Sequence, residues 1–339
     1  MTTVGIIGAS GFTGAELLRL CAQHPELEVV FATGDSQAGT AVADLYPSLA
    51  PAYGSMAYRR WDPAMAADAE VVFLGLPHGH SQEIVGDLIG TARLVVDLGA
   101  DFRLRTAADY EEWYGEPHRR PDLLDRFVYG LPELHREALR GADCIATPGC
   151  YPTSATLPMA PLVRAGLVSP DHVIVDAASG VSGAGRPPKP TTTFCAVDED
   201  VTAYGLLRHR HTPEMEMNIG ATVLFTPHLV PMNRGILATC YARPTSPDLR
   251  TDDVLACLEE AYRDEPFVVV SERSPSTKAT LGTNAAHLTA RVDERTGTVL
   301  ALCALDNLGK GAAGAAVQCA NLALGLPEPT GLQLAGTYP

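Results

Sequence analysis

The sequence predicts an α/β protein of two domains, one built on a parallel sheet and the other an α+β domain with a mainly antiparallel sheet. Three patterns carry this expectation. Residues 3–8, TVGIIG, form a short apolar run that meets GASGFTG and passes into the helical pattern AELLRLCAQH. The runs LEVVFATG, AEVVFLGLP and ARLVVDLGA follow at intervals suited to crossover helices, the alternation that builds a parallel sheet. Beyond residue 150 the texture changes to closely spaced strand-like runs with one helical pattern among them.

The glycines at 8, 11 and 14 match a G-x-x-G-x-x-G spacing between strand and helix. Missing side chains there let backbone N–H groups approach a pyrophosphate at the helix N-terminus, so the first domain reads as a Rossmann-type parallel sheet domain. After the second strand, in FATGDSQAGT, Asp35 would take the ribose hydroxyls of NAD, whereas Ser36, Gln37 and Gly39 offer donors without charge repulsion. The balance leans to NADP(H). Pro77 opens PHGHS behind the third strand, where His78 and His80 are expected to line the cofactor crevice. Arg103, in DLGADFRL, follows a strand end where ligands of open α/β sheets collect, and its fork could hold a carboxylate or phosphate; the alternative is a surface pairing with Asp101.

Cys150 sits in ATPGCYPTSATL between a Pro-Gly pair and a Tyr-Pro pair, with an apolar, hydroxyl-rich run behind it. Such a thiol is expected on a turn facing a helix N-terminus, where the dipole and N–H groups favour a nucleophilic thiolate. An inert structural cysteine is the plain alternative. HVIVDAAS is then a strand, followed by a Gly/Ser- and Pro-rich loop long enough to suggest a functional role. TVLFTPHLVPM, GILATCYARP, FVVVSER, AHLTARVD and TVLALCALDN complete a mainly antiparallel sheet crossed by a helix over 252–263. In YGLLRHRHTPEMEMN, a helix beginning at TPEMEMN would have Thr212 as N-cap, with His209 and His211 pointing to different sides of the preceding turn. Asn307 could present its amide to a nicotinamide or simply form a turn. GKGAAGAAVQCANLALGL reads as a helix returning to the first domain. The expected domains are therefore 1–148 with 309–339, binding NADP, and 149–308, the α+β catalytic and dimerisation domain.

With 339 residues and 46% hydrophobic composition the chain can bury substantial cores. A formal charge of −15 disfavours nonspecific contact with nucleic acid or an anionic membrane, so an anionic substrate must be met by a local basic pocket. No apolar run is long enough to span a bilayer, and MTTVGIIGAS enters a strand pattern without a basic leader, which leads to an expectation of a cytoplasmic protein. The eight cysteines are scattered singly without C-x-x-C spacing and read as reduced thiols. The two H-x-H pairs, 78/80 and 209/211, raise metal binding as an option, but their settings favour other roles and no metal is expected.

Taken together, GASGFTGAELLRL, LPHGHS, VVDLGADFRL, YGLPEL, ATPGCYPT, SGVSGAGR, HRHTPE, RGILATCYA and DNLGKGAAGAAVQ resemble the N-acetyl-γ-glutamyl-phosphate reductases of arginine biosynthesis over nearly the whole chain. The resemblance implies NADPH-dependent reductive dephosphorylation of a small-molecule acyl phosphate to an aldehyde. It also implies a fold like that of aspartate-semialdehyde dehydrogenase, and a homo-oligomer, tetramer or dimer. Through it Cys150 becomes the nucleophile and His209 or His211 the proton donor, with His209 preferred. It assigns Arg103, Ser179, Gly180, Tyr204 and Glu214 to the substrate, and Gly8, Ser10, Gly11, Phe12, Thr13, Gly14, Ser36, Pro77 and Asn307 to the cofactor. The loop GRPPKPTTTF is richer in proline than the family pattern. Three rival readings remain: a carrier-protein-linked aminoadipyl-phosphate reductase, whose acidic carrier a chain of −15 would repel; a non-catalytic NADP-binding regulator; and a thiol acyltransferase or hydrolase without hydride chemistry.

Overall fold

The computed structural model describes residues 1–338, which fall into two compact units. One comprises Met1–Pro148 with Ala312–Leu332, the other Gly149–Gly311 with the tail from Gln333.

The first unit is built on six strands, β1 (Thr2–Ile7), β2 (Leu27–Ala32), β3 (Val71–Leu74), β4 (Leu94–Asp97), β5 (Val128–Tyr129) and β6 (Cys144–Ala146). They lie in the order β2-β1-β3-β4-β6-β5, and every pairing is parallel. Parallel strands are covered on both faces, and β3 and β4 are buried at every position. Alternation divides their side chains between two cores. Val71, Phe73, Leu94 and Val96 pack on one face with Leu17, Leu18 and Val317, while Val72, Leu74 and Val95 pack on the other with Val85, Leu88 and Phe102. The order reverses between β1 and β3, the switch point at which open α/β sheets take ligands at their carboxyl ends. The helix Gly314–Leu324, reached through a π-helical turn at Gly309–Ala313, belongs to this unit and is nearly all buried, as its Ala-rich sequence allows.

The second unit carries β7 (Val173–Ser179), β8 (Thr202–Ala203), β9 (Val223–Leu229), β10 (Ile236–Ala242), β11 (Val268–Val270), β12 (Ala286–Asp293) and β13 (Thr298–Leu305), in the order β11-β12-β13-β10-β7-β9-β8. The sheet is mixed: β11–β12 and β7–β9 are parallel and the other four pairings antiparallel. In β7 and β10 alternate residues are buried, the pattern of a sheet with one covered face. The helices Cys150–Arg164 and Thr251–Ala261 pack on this sheet. The first holds Pro158 and Pro161 inside it. Proline has no N–H, so Pro161 leaves the Leu157 carbonyl unserved by the helix ladder, and the Tyr262 hydroxyl donates to that carbonyl at 2.6 Å. No helix among the described residues is long and apolar enough to cross a membrane.

Candidate active site

The thiol stands at the first turn of the helix Cys150–Arg164. Gly149 is its N-cap, in extended conformation and with no side-chain cap, so Cys150 occupies the first helical position and is half-buried. Thr153 closes this turn by donating both its N–H and its hydroxyl to the Gly149 carbonyl, each at 3.0 Å. Pro152 falls where a helix needs no amide hydrogen. The Gly149 N–H, an orphan donor at a helix start, is taken by Glu214 Oε1 at 2.8 Å. Glu214 is buried on the helix Thr212–Ile219.

The histidine pair sits on the turn entering that helix. Thr212 N–H donates to the His209 carbonyl and His211 N–H to His209 Nδ1, at 3.0 and 3.2 Å. This geometry corrects two expectations. The N-cap is His211 rather than Thr212, and it makes no side-chain cap bond. The two imidazoles do not diverge, because the segment turns instead of extending; their centroids are 4.9 Å apart and both rings contact Tyr151 edge-on. Phe225 from β9 and Tyr204 pack on His209, and the Tyr151 and Tyr204 hydroxyls share a hydrogen bond of 3.0 Å. Burial, with the Arg210 charge second, pushes His209 down to about 4, so its imidazole is neutral at physiological pH. His211 lies against the thiol turn: a Cβ built on Gly149 would be 2.5 Å from His211 Nε2. Sequence reading gave Tyr151 and Phe225 no role, although Tyr151 adjoins the cysteine.

Ser179 ends β7, and the following loop is hydrogen-bonded to residues 232–235: Gly180 N–H to the Gly235 carbonyl, Val181 to Met232 and Ser182 to Asn233. Asn307 has its carboxamide engaged in this same unit, accepting from Gly235 N–H at 2.7 Å and donating to Ser182 Oγ at 2.9 Å. The proline-rich segment beyond Gly185 is largely exposed and includes only the short helix Phe194–Val197.

In the first unit, the glycine turn has the shape a dinucleotide needs. Gly8 has φ +82°, and a Cβ there would lie 2.4 Å from the Gly75 carbonyl oxygen; one on Gly14 would lie 2.4 Å from Ala9 Cα. Gly11 is different. As N-cap of the helix Phe12–Gln23 it has no side-chain cap, and a Cβ would meet only the Gly8 oxygen at 3.6 Å. Packing thus demands glycine at 8 and 14, while at 11 it leaves room for a side chain, and the Gly11 N–H donates to the Gly8 carbonyl at 3.2 Å. Ser10 supplies its carbonyl to the Tyr46 hydroxyl at 2.9 Å, and Phe12 and Thr13 open the helix. Ser36 is exposed on a 3-10 turn, Asp35–Gln37, beyond β2. Beside it stand two residues that sequence reading missed: Arg59 pairs with Thr33 along the backbone, and Arg60 reaches Asp35 at 3.9 Å. Their only sequence signal is a basic pair in an acidic chain.

Pro77 leads the turn into the helix Ser81–Leu88. His78 lies 3.8 Å from Glu116 and His80 3.7 Å from Glu83. Among the described residues no group of three or more His, Cys, Asp or Glu is arranged to hold a metal. Arg103 is buried and donates from Nε to the Thr147 carbonyl at 2.8 Å and from Nη2 to the Leu98 carbonyl at 3.0 Å. Asp101 is no surface partner: it is fully buried and accepts from Gly79 N–H at 2.6 Å and Gln82 N–H at 3.2 Å. Asp97, also missed in the sequence, is wholly buried at the end of β4; burial first, then the Asp101 charge, pushes it up to about 7.

A parallel sheet with a phosphate-type glycine turn, joined to an α+β unit bearing a helix-N-terminal cysteine beside histidines, defines an oxidoreductase of the semialdehyde dehydrogenase class. Residues 3–142 match the family model "Semialdehyde dehydrogenase, NAD binding domain", and residues 150–307 match "Semialdehyde dehydrogenase, dimerisation domain". Solved structures of aspartate semialdehyde dehydrogenase share the fold. The Vibrio cholerae enzyme II complexed with ASA has a TM-score of 0.72 at 16% identity, covering 96% of this chain and 98% of that one. The Candida albicans enzyme with NADP also has a TM-score of 0.72 at 16% identity, covering 95% and 98%. N-acetyl-gamma-glutamyl-phosphate reductases are far nearer in sequence. Those of Desulforudis audaxviator and Moorella thermoacetica are 49% and 46% identical, each over 100% of both chains; that of Pseudomonas putida is 44% identical over the same share. The chain belongs to the N-acetyl-gamma-glutamyl-phosphate reductase family.

Proposed function

We propose that this oxidoreductase reduces N-acetyl-γ-glutamyl phosphate to N-acetyl-glutamate semialdehyde and phosphate through a thioester on Cys150, with NADPH as reductant. The observation that carries this reading is the position of Cys150 at a helix start whose capping glycine touches the His211 imidazole.

His211 takes the thiol proton, and Sγ bonds the acyl carbon as the carbon–oxygen bond to phosphate breaks and that electron pair leaves with the phosphate. The helix start favours negative charge on sulfur and on the carbonyl oxygen. When bound, the reduced nicotinamide supplies a hydride to the thioester carbon. His211 returns its proton to the oxygen of the resulting tetrahedral carbon, and the carbon–sulfur bond then breaks to give aldehyde, the proton passing back through His211 to the sulfur. His211 is favoured over His209 for this exchange, because burial makes the His209 imidazole a weak proton acceptor and its Nδ1 already accepts from the His211 backbone. His209 instead orients the pair, with Tyr151 and Tyr204. Glu214 fixes Gly149 and so the helix start.

Ser179 and Gly180 are proposed to line the substrate, and Arg103 to receive one of its anionic groups; Gly8–Gly14, Ser36 and Pro77 are proposed to hold the cofactor. The Arg60 guanidinium beside Asp35, which precedes Ser36, supports NADPH over NADH, since a 2′-phosphate needs a cation where Asp35 alone would repel it. The dimerisation-domain match supports a homodimer or homotetramer. The deciding assay follows nicotinamide oxidation with free N-acetyl-γ-glutamyl phosphate. Turnover with NADPH well above NADH, lost in Cys150→Ser, is expected; turnover with a carrier-linked substrate alone would overturn the proposal.

A further inference from the structure

The carboxylate of Asp306 is held by five hydrogen bonds. It is fully buried where β13 ends, and Arg234 meets it with both arms of its fork, Nε to Oδ1 at 3.1 Å and Nη2 to Oδ2 at 3.0 Å. Three backbone amides complete the set: Leu308 and Gly309 donate to Oδ1 at 2.9 and 3.1 Å, and Gly282 to Oδ2 at 2.7 Å. Burying a carboxylate is costly unless it is paired and hydrogen-bonded, so this geometry specifies one backbone arrangement for the turn after β13.

That turn supports the thiol. The Asp306 carbonyl accepts from Gly311 N–H at 2.9 Å, and a Cβ on Gly311 would lie 2.8 Å from Cys150 Cβ and 3.3 Å from its Cα. Cys150 therefore rests on backbone that Asp306 holds. The next residue reaches the other way. Asn307 joins Gly235 N–H to Ser182 Oγ, and Gly235 in turn bonds Gly180 through its carbonyl. Arg234 N lies 2.9 Å from where a Cβ on Gly180 would be. One dipeptide thus carries both the backing of the nucleophile and the loop that follows Ser179.

We infer that Asp306, Asn307 and Arg234 are positioning residues that fix the distance between the Cys150 sulfur and the substrate's acyl group held at residues 179–183. The inference rests on the reading of Cys150 as nucleophile. It moves Asn307 from the cofactor to the thiol and its facing loop. Arg234 acts through Asp306 and needs no contact with substrate.

The test uses Asn307→Ala, Ser182→Ala, their double variant and Arg234→Gln, each compared with the parent in kcat and KM for the acyl phosphate, NADPH Kd, melting temperature, and pH-dependent alkylation of the Cys150 peptide. Displacing a reacting group by about an ångström costs on the order of 100-fold, so Asn307→Ala and Arg234→Gln are expected to lower kcat/KM by about 10- to 100-fold and shift the alkylation profile. NADPH Kd stays within about twofold, as a site outside cofactor binding requires. Ser182→Ala raises KM for the acyl phosphate with the alkylation profile intact, and the double variant is no worse than Asn307→Ala, because coupled residues are non-additive. If Asn307→Ala does not fold, Arg234→Gln and Ser182→Ala decide by the same criteria. Activity falling only in proportion to folded protein, with parental KM and alkylation, overturns the inference, as does a raised NADPH Kd. Cys150→Ser runs alongside: activity retained there sinks the thioester reading itself, whereas its loss with parental Asn307 and Arg234 variants sinks only the positioning role.

Discussion

The His211 imidazole occupies the space in which a side chain at position 149 would begin: a Cβ on Gly149 would lie 2.5 Å from Nε2, 2.8 Å from Cε1 and 2.9 Å from Cδ2. Three ring atoms of a packed imidazole cannot all retreat as the tip of a flexible chain could. Gly149→Ala should therefore push His211 from the thiol turn while leaving the chain folded. A fall in kcat of about 100-fold is expected, with NADPH affinity kept. Parental kcat in that variant would mean that the imidazole contact is idle.

The two histidines should separate in their pH behaviour. His209, held near 4 by burial, stays deprotonated from about pH 5.5 upward, so its own titration places no inflection in the working range. His209→Gln is expected to lower kcat modestly, about tenfold, with the shape of the kcat/KM profile preserved. His211→Gln should cost on the order of 100- to 10,000-fold. The kcat and pH–rate profiles of the two variants check this, and a larger loss with His209, or an inflection lost with it, would reverse the assignment.

Cofactor choice should reside beside β2. Arg60 stands 3.9 Å from exposed Asp35, and Ser36 adjoins them. Arg60→Ala is expected to raise KM for NADPH by about tenfold with KM for NADH nearly unchanged, the loss of one exposed charge pairing to phosphate. Parallel titrations of both cofactors measure this; equal effects on the two would remove Arg60 from 2′-phosphate recognition.

Much of this was legible in the sequence, for physical reasons that differ by residue. Buried parallel strands such as Val71–Leu74 appear as unbroken apolar runs. Gly8 and Gly14 are dictated by local backbone contacts and so announce themselves in the spacing. The helices Ala107–Tyr114 and Pro132–Leu139, by contrast, are rich in charged residues with only one or two buried positions each, and periodicity gave no sign of them. The histidines were expected to diverge because alternation holds for extended chain, whereas 209–212 closes as a turn. Glu214 on Gly149 and Asn307 on Ser182 join residues 65 and 125 apart, and no local pattern encodes such bonds. Asp97 and Arg60 take their character from burial and from a neighbouring chain segment, which only the fold supplies.

Asp97 makes stability depend on pH in an unusual direction. Its carboxyl is raised from 3.8 to about 7, so between those values the native chain keeps a proton that the unfolded chain releases. Its stabilising contribution is complete below about pH 4 and is lost as pH rises toward 7. Asp97→Asn cannot ionise and keeps an acceptor for Ser81 and Gly99, which donate to Oδ1 at 2.8 and 2.9 Å. Any melting-temperature deficit of the variant should be smaller at pH 8 than at pH 5. A deficit equal at both values would show a carboxyl ionised throughout.

The most direct measurement mixes the protein with N-acetyl-γ-glutamyl phosphate in the absence of NADPH, quenches in acid and maps the peptides by mass. One N-acetylglutamyl group on the peptide carrying Cys150, discharged when NADPH is added before the quench, is the expected result. An unmodified Cys150 in protein that still turns over would contradict the account.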